Sequence, residues 1–309
     1  MEYNKLLKYL RNELNVKQID MYSGVTSKSS YKKIESGEKQ ATIEELIAFS
    51  NKLGIRFSEF LARADLTKLD TSFFGKQKSE IVSSASDFSI LKNKFDQIYS
   101  LRLTNLQYYS LFIIAIAIAN SLGKELYQFS PKDVKELKQL YSKRHHFLGI
   151  DYEIFANLFF VTEPTNFDFL YEKLFPVNKS QGEVHDNAVQ LAVKNAISVF
   201  LERKEFKSAL MYFEEFNNLK TLNNFVINGY TNLEILYLRH LFNFLNDRNI
   251  EEYLKAINIV NLFNDLGEYD IRDSLAKEVS EIAKKENFEV PDSVSLITDK
   301  FDTKRSKLS

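Results

Sequence analysis

Nine glycines and four prolines are all that interrupt 309 residues, so almost nothing in this chain forces a helix to stop. Long helices are the expectation, and the abundance of Leu, Lys, Glu, Asn and Phe agrees with it. Apolar residues make up 44% and charged residues 27%, the balance of a globular protein with a real core. The length fits one large domain or about two ordinary ones. The absence of Cys excludes disulfides, thiolate metal sites and Cys nucleophiles. Net charge is 41 − 42 = −1, so no global field exists to hold a polyanion. A local one does: residues 1–64 carry 11 Lys+Arg against 8 Asp+Glu, net +3, which leaves −4 for 65–309.

Residues 1–5 lack the apolar stretch of a secretory signal, which predicts a chain that stays in the cytoplasm. The longest apolar run, Leu111 to Ala119, is nine residues and ends at Asn120. A membrane span needs roughly 18 or more, so a buried helix is expected and no membrane partner. No phosphate-cradling glycine loop can be written, and no cofactor is implied. The histidines are His145, His146, His185 and His240. Adjacent His145 and His146 would point about 100° apart on a helix and cannot converge on a metal. Nothing groups a nucleophile, a base and an orienter, so neither a metal site nor catalysis is expected.

The first sixty residues read as five short helices. Leu6, Leu7, Leu10 and Leu14 give helix one, from about Tyr3 to Leu14, a single apolar stripe. A short helix from Lys17 to about Tyr22 follows, then a small-residue corner, Gly24-Val25-Thr26-Ser27, able to cap what comes next. The third helix starts near Lys28 and stops at Gly37, with Tyr31 and Ile34 inward. Thr42-x-x-Glu45 is a capping box opening the fourth helix, which ends at Gly54, and Ser58 is placed to cap a fifth. This is the plan of a helix-turn-helix DNA reader, whose third helix enters the major groove. Lys28, Ser29, Ser30, Lys32 and Lys33 on that helix offer cations for phosphates and hydroxyls for base edges. A solvated basic face is the plain alternative.

The string Ser27-Lys28-Ser29-Ser30-Tyr31-Lys32-Lys33-Ile34-Glu35-Ser36-Gly37-Glu38 carries a resemblance. With Leu10-Arg11 before it and Leu53-Gly54-Ile55-Arg56-Phe57-Ser58-Glu59-Phe60 after it, it resembles the lambda-repressor-like helix-turn-helix. Within that class it is most similar to the Rgg/GadR/MutR regulators of Gram-positive bacteria, relatives of the PlcR and ComR peptide receptors. The resemblance implies DNA contact through Lys17, Gln18, Ser27, Lys28, Ser29, Ser30, Lys32 and Lys33. It also implies a partly buried ion pair between Arg11 and Glu35. Gln18 and Gly24 stand closer together than the class spacing has them, which leaves the start of helix two and the contact role of Gln18 open.

Residues 65–85, rich in Ser and Lys, read as a linker between a DNA-binding domain at 1–64 and a helical domain at 86–309. Helices are expected at about 86–100, 104–122, 131–147, 151–161, 166–175, 185–202, 206–219, 223–246, 249–266 and 270–286. Thr104 and Ser130-Pro131-x-Asp133 are placed to cap two of them, and Asp186 sits at the start of a third. Pairing 185–202 with 206–219, and 223–246 with 249–266, gives hairpins of roughly 34 to 45 residues, the period of tetratricopeptide-type stacks. No consensus repeat is legible, and an irregular bundle is the other reading. The fold class expected is therefore all-α: a five-helix lambda-repressor-like helix-turn-helix domain followed by a tetratricopeptide-like solenoid.

A solenoid has a face that must be filled or bind something. Its polar candidates are Asn157, Asn195, Asn228, Tyr230 and Asn232, whose amides and hydroxyl suit an extended peptide backbone, and Arg239, which suits a carboxylate. Each Asn could equally cap or bridge helices. The resemblance implies that some such set holds a signalling peptide. The expectation is a homodimeric regulator that reads double-stranded DNA at a palindromic operator under control of a short peptide. Two rivals stand beside it. One is the same DNA domain with a solenoid for a protein or small molecule, and the other is a helical adaptor without DNA binding.

Overall fold

The computed structural model describes residues 1–64 and 73–288, which fold as helices joined by short connections. They form two compact units that divide between Glu80 and Ile81.

In the first unit, α1 (Tyr3–Glu13), α2 (Gln18–Tyr22), α3 (Lys28–Ser36), α4 (Ile43–Lys52) and α5 (Phe57–Arg63) surround one small core. The spacing of Leu6, Leu7 and Leu10 puts all three on one side of α1, against Met21, Tyr31, Ile34, Phe49 and Phe60. Tyr31 meets Phe49 edge-on at 5.1 Å. The Ser27 hydroxyl accepts the Ser30 N–H and opens α3. At the other end, Gly37 has φ +82°, and a Cβ there would lie 2.5 Å from Asn4 Nδ2. Thr42 and Glu45 exchange hydrogen bonds as a capping box at the start of α4. Ser58 does not cap α5. The cap position falls to Arg56, and Ser58 sits inside the first turn.

Part of the stretch expected as linker is helix. Residues 65–72 lie outside the described residues, but α6 (Phe73–Ser83) is regular, and a turn of 3-10 helix, Ser84–Ser86, extends it. Ile81 and Ser84 are buried, with the Ser84 hydroxyl donating to the Ile81 carbonyl at 2.6 Å. A Ser-rich composition reads as coil, yet these serines return their hydroxyls to the helix's own carbonyls.

The second unit runs α7 (Phe88–Leu101), α8 (Leu106–Ser121), α9 (Pro131–Ser142), α10 (Gly149–Leu158), α11 (Asp168–Leu174), α12 (Glu183–Glu202), α13 (Phe206–Leu219), α14 (Gly229–Asp247), α15 (Ile250–Asp265) and α16 (Tyr269–Lys285). Helices α8, α10, α12 and α14 touch in succession and make an inner row, with α13 packed on α12 and α15 on α14. This is a tetratricopeptide-like stack. The apolar run of α8 is buried, and no helix among the described residues is long and apolar enough to cross a membrane. An aromatic knot joins α10 to its neighbours: Phe159 meets Phe167 at 5.0 Å and Phe200 at 5.7 Å, both edge-on.

Three boundaries differ from the sequence reading. Asn105, not Thr104, caps α8, because its amide oxygen accepts the Tyr108 N–H while Thr104 donates backward to Leu101. Helix α9 ends at Ser142, since Asp151 takes the Leu148 N–H and the Arg144 guanidinium at 2.8 Å, drawing 143–148 into a loop. Helix α14 starts at Gly229 rather than near 223. The buried Asp186 carboxylate accepts the Val226 N–H at 3.0 Å and the Ser180 hydroxyl at 2.7 Å, and Gln190 bonds the Val226 carbonyl and the Asn228 N–H. These bonds hold 226–228 extended, so the helix can begin only after them.

Candidate DNA-reading helix and ligand groove

Helix α3 has two faces of opposite character. Inward, Tyr31, Ile34 and Glu35 are buried, and Glu35 is a hub. Its carboxylate takes Arg11 Nε at 2.6 Å and the Tyr31 hydroxyl at 2.9 Å on one oxygen, and Gln18 Nε2 at 2.8 Å on the other. Arg11 also reaches the Val16 carbonyl at 3.2 Å. One buried acid thereby ties α1, α2 and α3 together. The hydrogen bond to Glu35 raises the Arg11 pKa, while burial, helped by that carboxylate, drives the Tyr31 phenol far above its ordinary value.

Outward, Lys28, Ser29, Lys32 and Lys33 are exposed and border an open depression of about 560 Å³ with Ser36 and Glu38. No carboxylate among the described residues pairs with Lys28, Lys32 or Lys33. Lys17 is also exposed. The other residues expected at DNA have duties inside the protein. Gln18 gives its amide N–H to Glu35, Ser27 caps α3, and Ser30 accepts from Lys39 Nζ at 2.6 Å.

Of the residues expected at a peptide, Asn232 and Arg239 border one small cavity, and the other four do not join them there. Asn157 donates to the Glu153 carbonyl of its own helix at 2.7 Å. Asn195 bridges α12 to the Ala156 carbonyl of α10 at 3.1 Å. Asn228 caps α14 through the Thr231 N–H. Tyr230 packs on Phe263 and leans on the Glu268 carboxylate, which lifts its phenol pKa. Asn232 and Arg239 face α13, with the Arg239 guanidinium 3.7 Å from the Phe213 ring centroid. Burial lowers the Arg239 pKa, against the pull of Glu214. At 100° per residue, Arg239 points about 160° away from Leu241 and about 120° away from Leu245.

Those two leucines line a cavity of about 780 Å³ walled by α12, α14 and α16, with Ser121 of α8 also in its lining. Leu201 and Ile282 add apolar wall, and the rim is charged. Lys204 pairs with Glu286 at 2.6 Å, Lys285 with Glu202 at 3.5 Å and Lys277 with Glu281 at 4.0 Å. Glu278 lies in the same wall, partly buried, near the hydroxyls of Ser198 and of Tyr237, the latter donating to the Leu275 carbonyl at 3.1 Å. Burial pushes its carboxyl above the usual range. The two hydroxyls and Lys194 pull the other way, and Glu202 adds to the rise. The sequence reading missed Glu278, although a signal existed. It occupies an apolar slot of α16, at helical spacing from Ile271, Leu275 and Ile282.

The comparisons with known proteins follow the same division. A helix-turn-helix profile matches residues 7–60, and the profile of the pheromone cCF10 receptor, C-terminal TPR region, matches residues 95–282. A PrgX variant structure is 38% identical, covers 96% of this chain and 100% of that one, and superimposes with a TM-score of 0.85. The PrgX/cCF10 complex is 38% identical over 91% of this chain and 100% of that one, TM-score 0.82. The Rgg2 SHP pheromone receptor of Streptococcus dysgalactiae shares the fold at 16% identity, with 91% and 99% covered and a TM-score of 0.66. No curated protein sequence matches the chain. Fold and module order define the class: an all-helical protein with a helix-turn-helix module followed by a TPR region. Within it, the chain belongs to the family of the pheromone cCF10 receptor PrgX, which is a family of regulators and not of enzymes.

Proposed function

We propose that this protein is a cytoplasmic, DNA-binding transcriptional regulator controlled by a short signalling peptide held in the second unit. The observation that carries the reading is the pairing of two features in one chain: lysines along the outer face of α3 that no carboxylate among the described residues pairs with, and a TPR region of the pheromone-receptor family. The lysines supply the phosphate-neutralising charge a duplex needs, and the serines beside them can reach base edges. A single helix-turn-helix touches little DNA, so a homodimer on a palindromic operator is expected, its recognition helices about 34 Å apart or a multiple of that. The 780 Å³ groove between α12, α14 and α16 is the best seat for the peptide. A peptide switches such a regulator only if it binds one state of the dimer better than the other.

A salt titration on duplex DNA tests the first half. Affinity should fall steeply with salt, and Lys32→Ala with Lys33→Ala should flatten the log–log slope by about 2, roughly one for each phosphate no longer neutralised. An unchanged slope would remove α3 from the duplex.

A further inference from the structure

Four glutamates line the large groove, and three of them have a lysine within ion-pair distance: Glu286 with Lys204, Glu202 with Lys285, Glu281 with Lys277. Glu278 has none among the described residues. Its carboxyl is partly buried, and that burial raises its pKa. A carboxylate in that position loses hydration without gaining a counter-charge, a cost that its two hydroxyl neighbours offset only in part. Lys194, the nearest cation acting on it, is already bound to Glu234 at 2.8 Å.

The wall around Glu278 narrows the choice of what could supply the missing charge. Leu201, Leu241, Leu245 and Ile282 present apolar surface beside it, so the entering group must be a cation attached to something apolar. The hydroxyls of Tyr237 and Ser198 are polar neighbours of the carboxyl group. A guanidinium binds best to two free oxygens at once, whereas an ammonium is a compact charge that needs only one open approach and brings three donors.

We propose that Glu278 seats a primary ammonium of the bound peptide, with the apolar wall of the groove receiving the side chains next to that ammonium. The inference deepens the peptide reading above and rests on it. Every unmodified peptide carries one such group at its N-terminus, and a lysine side chain is the other source.

The experiment uses the full chain and affinity selection from random short synthetic peptides in two pools, one with free N-termini and one N-acetylated, read by mass spectrometry. Selection of apolar peptides from the free pool is expected. Acetylating individual recovered peptides should then weaken them about tenfold or more, the scale of a charge-assisted interaction in a partly desolvated site. In Glu278→Gln, with folding checked by its thermal melt, free and acetylated peptides should bind alike. Glu281→Gln, a lysine-paired neighbour, should keep the discrimination. Enrichment of lysine-bearing sequences from the acetylated pool, abolished by Glu278→Gln, would assign the seat to the side-chain amine. Equal enrichment of both pools without lysine preference, or discrimination that persists in Glu278→Gln, overturns the assignment to Glu278. Retention of no peptide from either pool overturns the peptide reading itself.

Discussion

On α3, Lys28, Lys32 and Lys33 stand without a carboxylate among the described residues, whereas around the groove of the second unit Lys204, Lys277 and Lys285 each meet a glutamate. The same residue type serves two purposes. Uncompensated cations on an open helix attract a polyanion from a distance and make its binding sensitive to salt. Compensated pairs at a groove rim contribute little energy, and beside them stand the apolar wall and Glu278, which no lysine among the described residues pairs with. Each unit also contains a similar device, a buried carboxylate surrounded by donors: Glu35 in the first unit, Asp186 in the second.

The largest effect should come from breaking the first of these hubs. Arg11→Ala strands Glu35 among neutral donors and should cost about 3 kcal/mol in denaturant-unfolding stability. Hydrogen exchange should report the loss in residues 1–64. An unaltered midpoint would mean the pair contributes nothing. Next, Asp186→Ala removes the acceptor for the Val226 N–H and the Ser180 hydroxyl and should cost about 2 kcal/mol, with faster exchange at the start of α14. If exchange there stays slow, the loop is held by Gln190 alone. Gly37→Ala should cost about 1 kcal/mol for its positive φ, plus whatever shift of Asn4 relieves the close approach.

The smallest effect is a pH dependence confined to the second unit. Glu252 accepts from His240 Nδ1 at 2.8 Å, Lys255 Nζ at 2.6 Å and Asn243 Nδ2 at 2.9 Å, which hold its carboxyl down at about 2. The unfolded chain binds that proton more readily. The stabilisation is therefore full above 4.5, the ordinary value, and drains away as pH falls toward about 2. Urea midpoints measured across this window should decline less in Glu252→Gln than in the parent protein.

Helix existence was legible where the apolar period is strong, as in α12 and α13, but not in α6, whose Ser-rich stretch reads as linker. A capping box with both partners in sequence was legible, as with Thr42 and Glu45, whereas for α8 the sequence points to Thr104 and the cap is its neighbour Asn105. Boundaries set from far along the chain were not. The start of α14 depends on Asp186 and Gln190, some forty residues earlier, and the one local sign, the Asn228 cap, was passed over. The outward lysines were readable from α3 alone, since the buried face of one short helix defines its exposed face. The groove was not, because its walls come from α12, α14 and α16, and their common face is fixed by packing. Polar residues inside apolar helices were a reasonable search image. Asn157, Asn195 and Asn228 nonetheless spend their amides on helix carbonyls and a cap, while the acid in the groove wall sat in a slot the period had marked as apolar.

Helix α6 carries a practical lesson for anyone wishing to produce the halves separately. The seam at Glu80 and Ile81 falls three residues before the helix ends at Ser83, so a gene divided there would cut through a continuous ladder of backbone hydrogen bonds. The upstream piece would fray at its new terminus, and the downstream piece would begin on Ile81, whose side chain has no exposure in the intact protein. Expression of the C-terminal half should begin upstream of Phe73, with all of α6 retained.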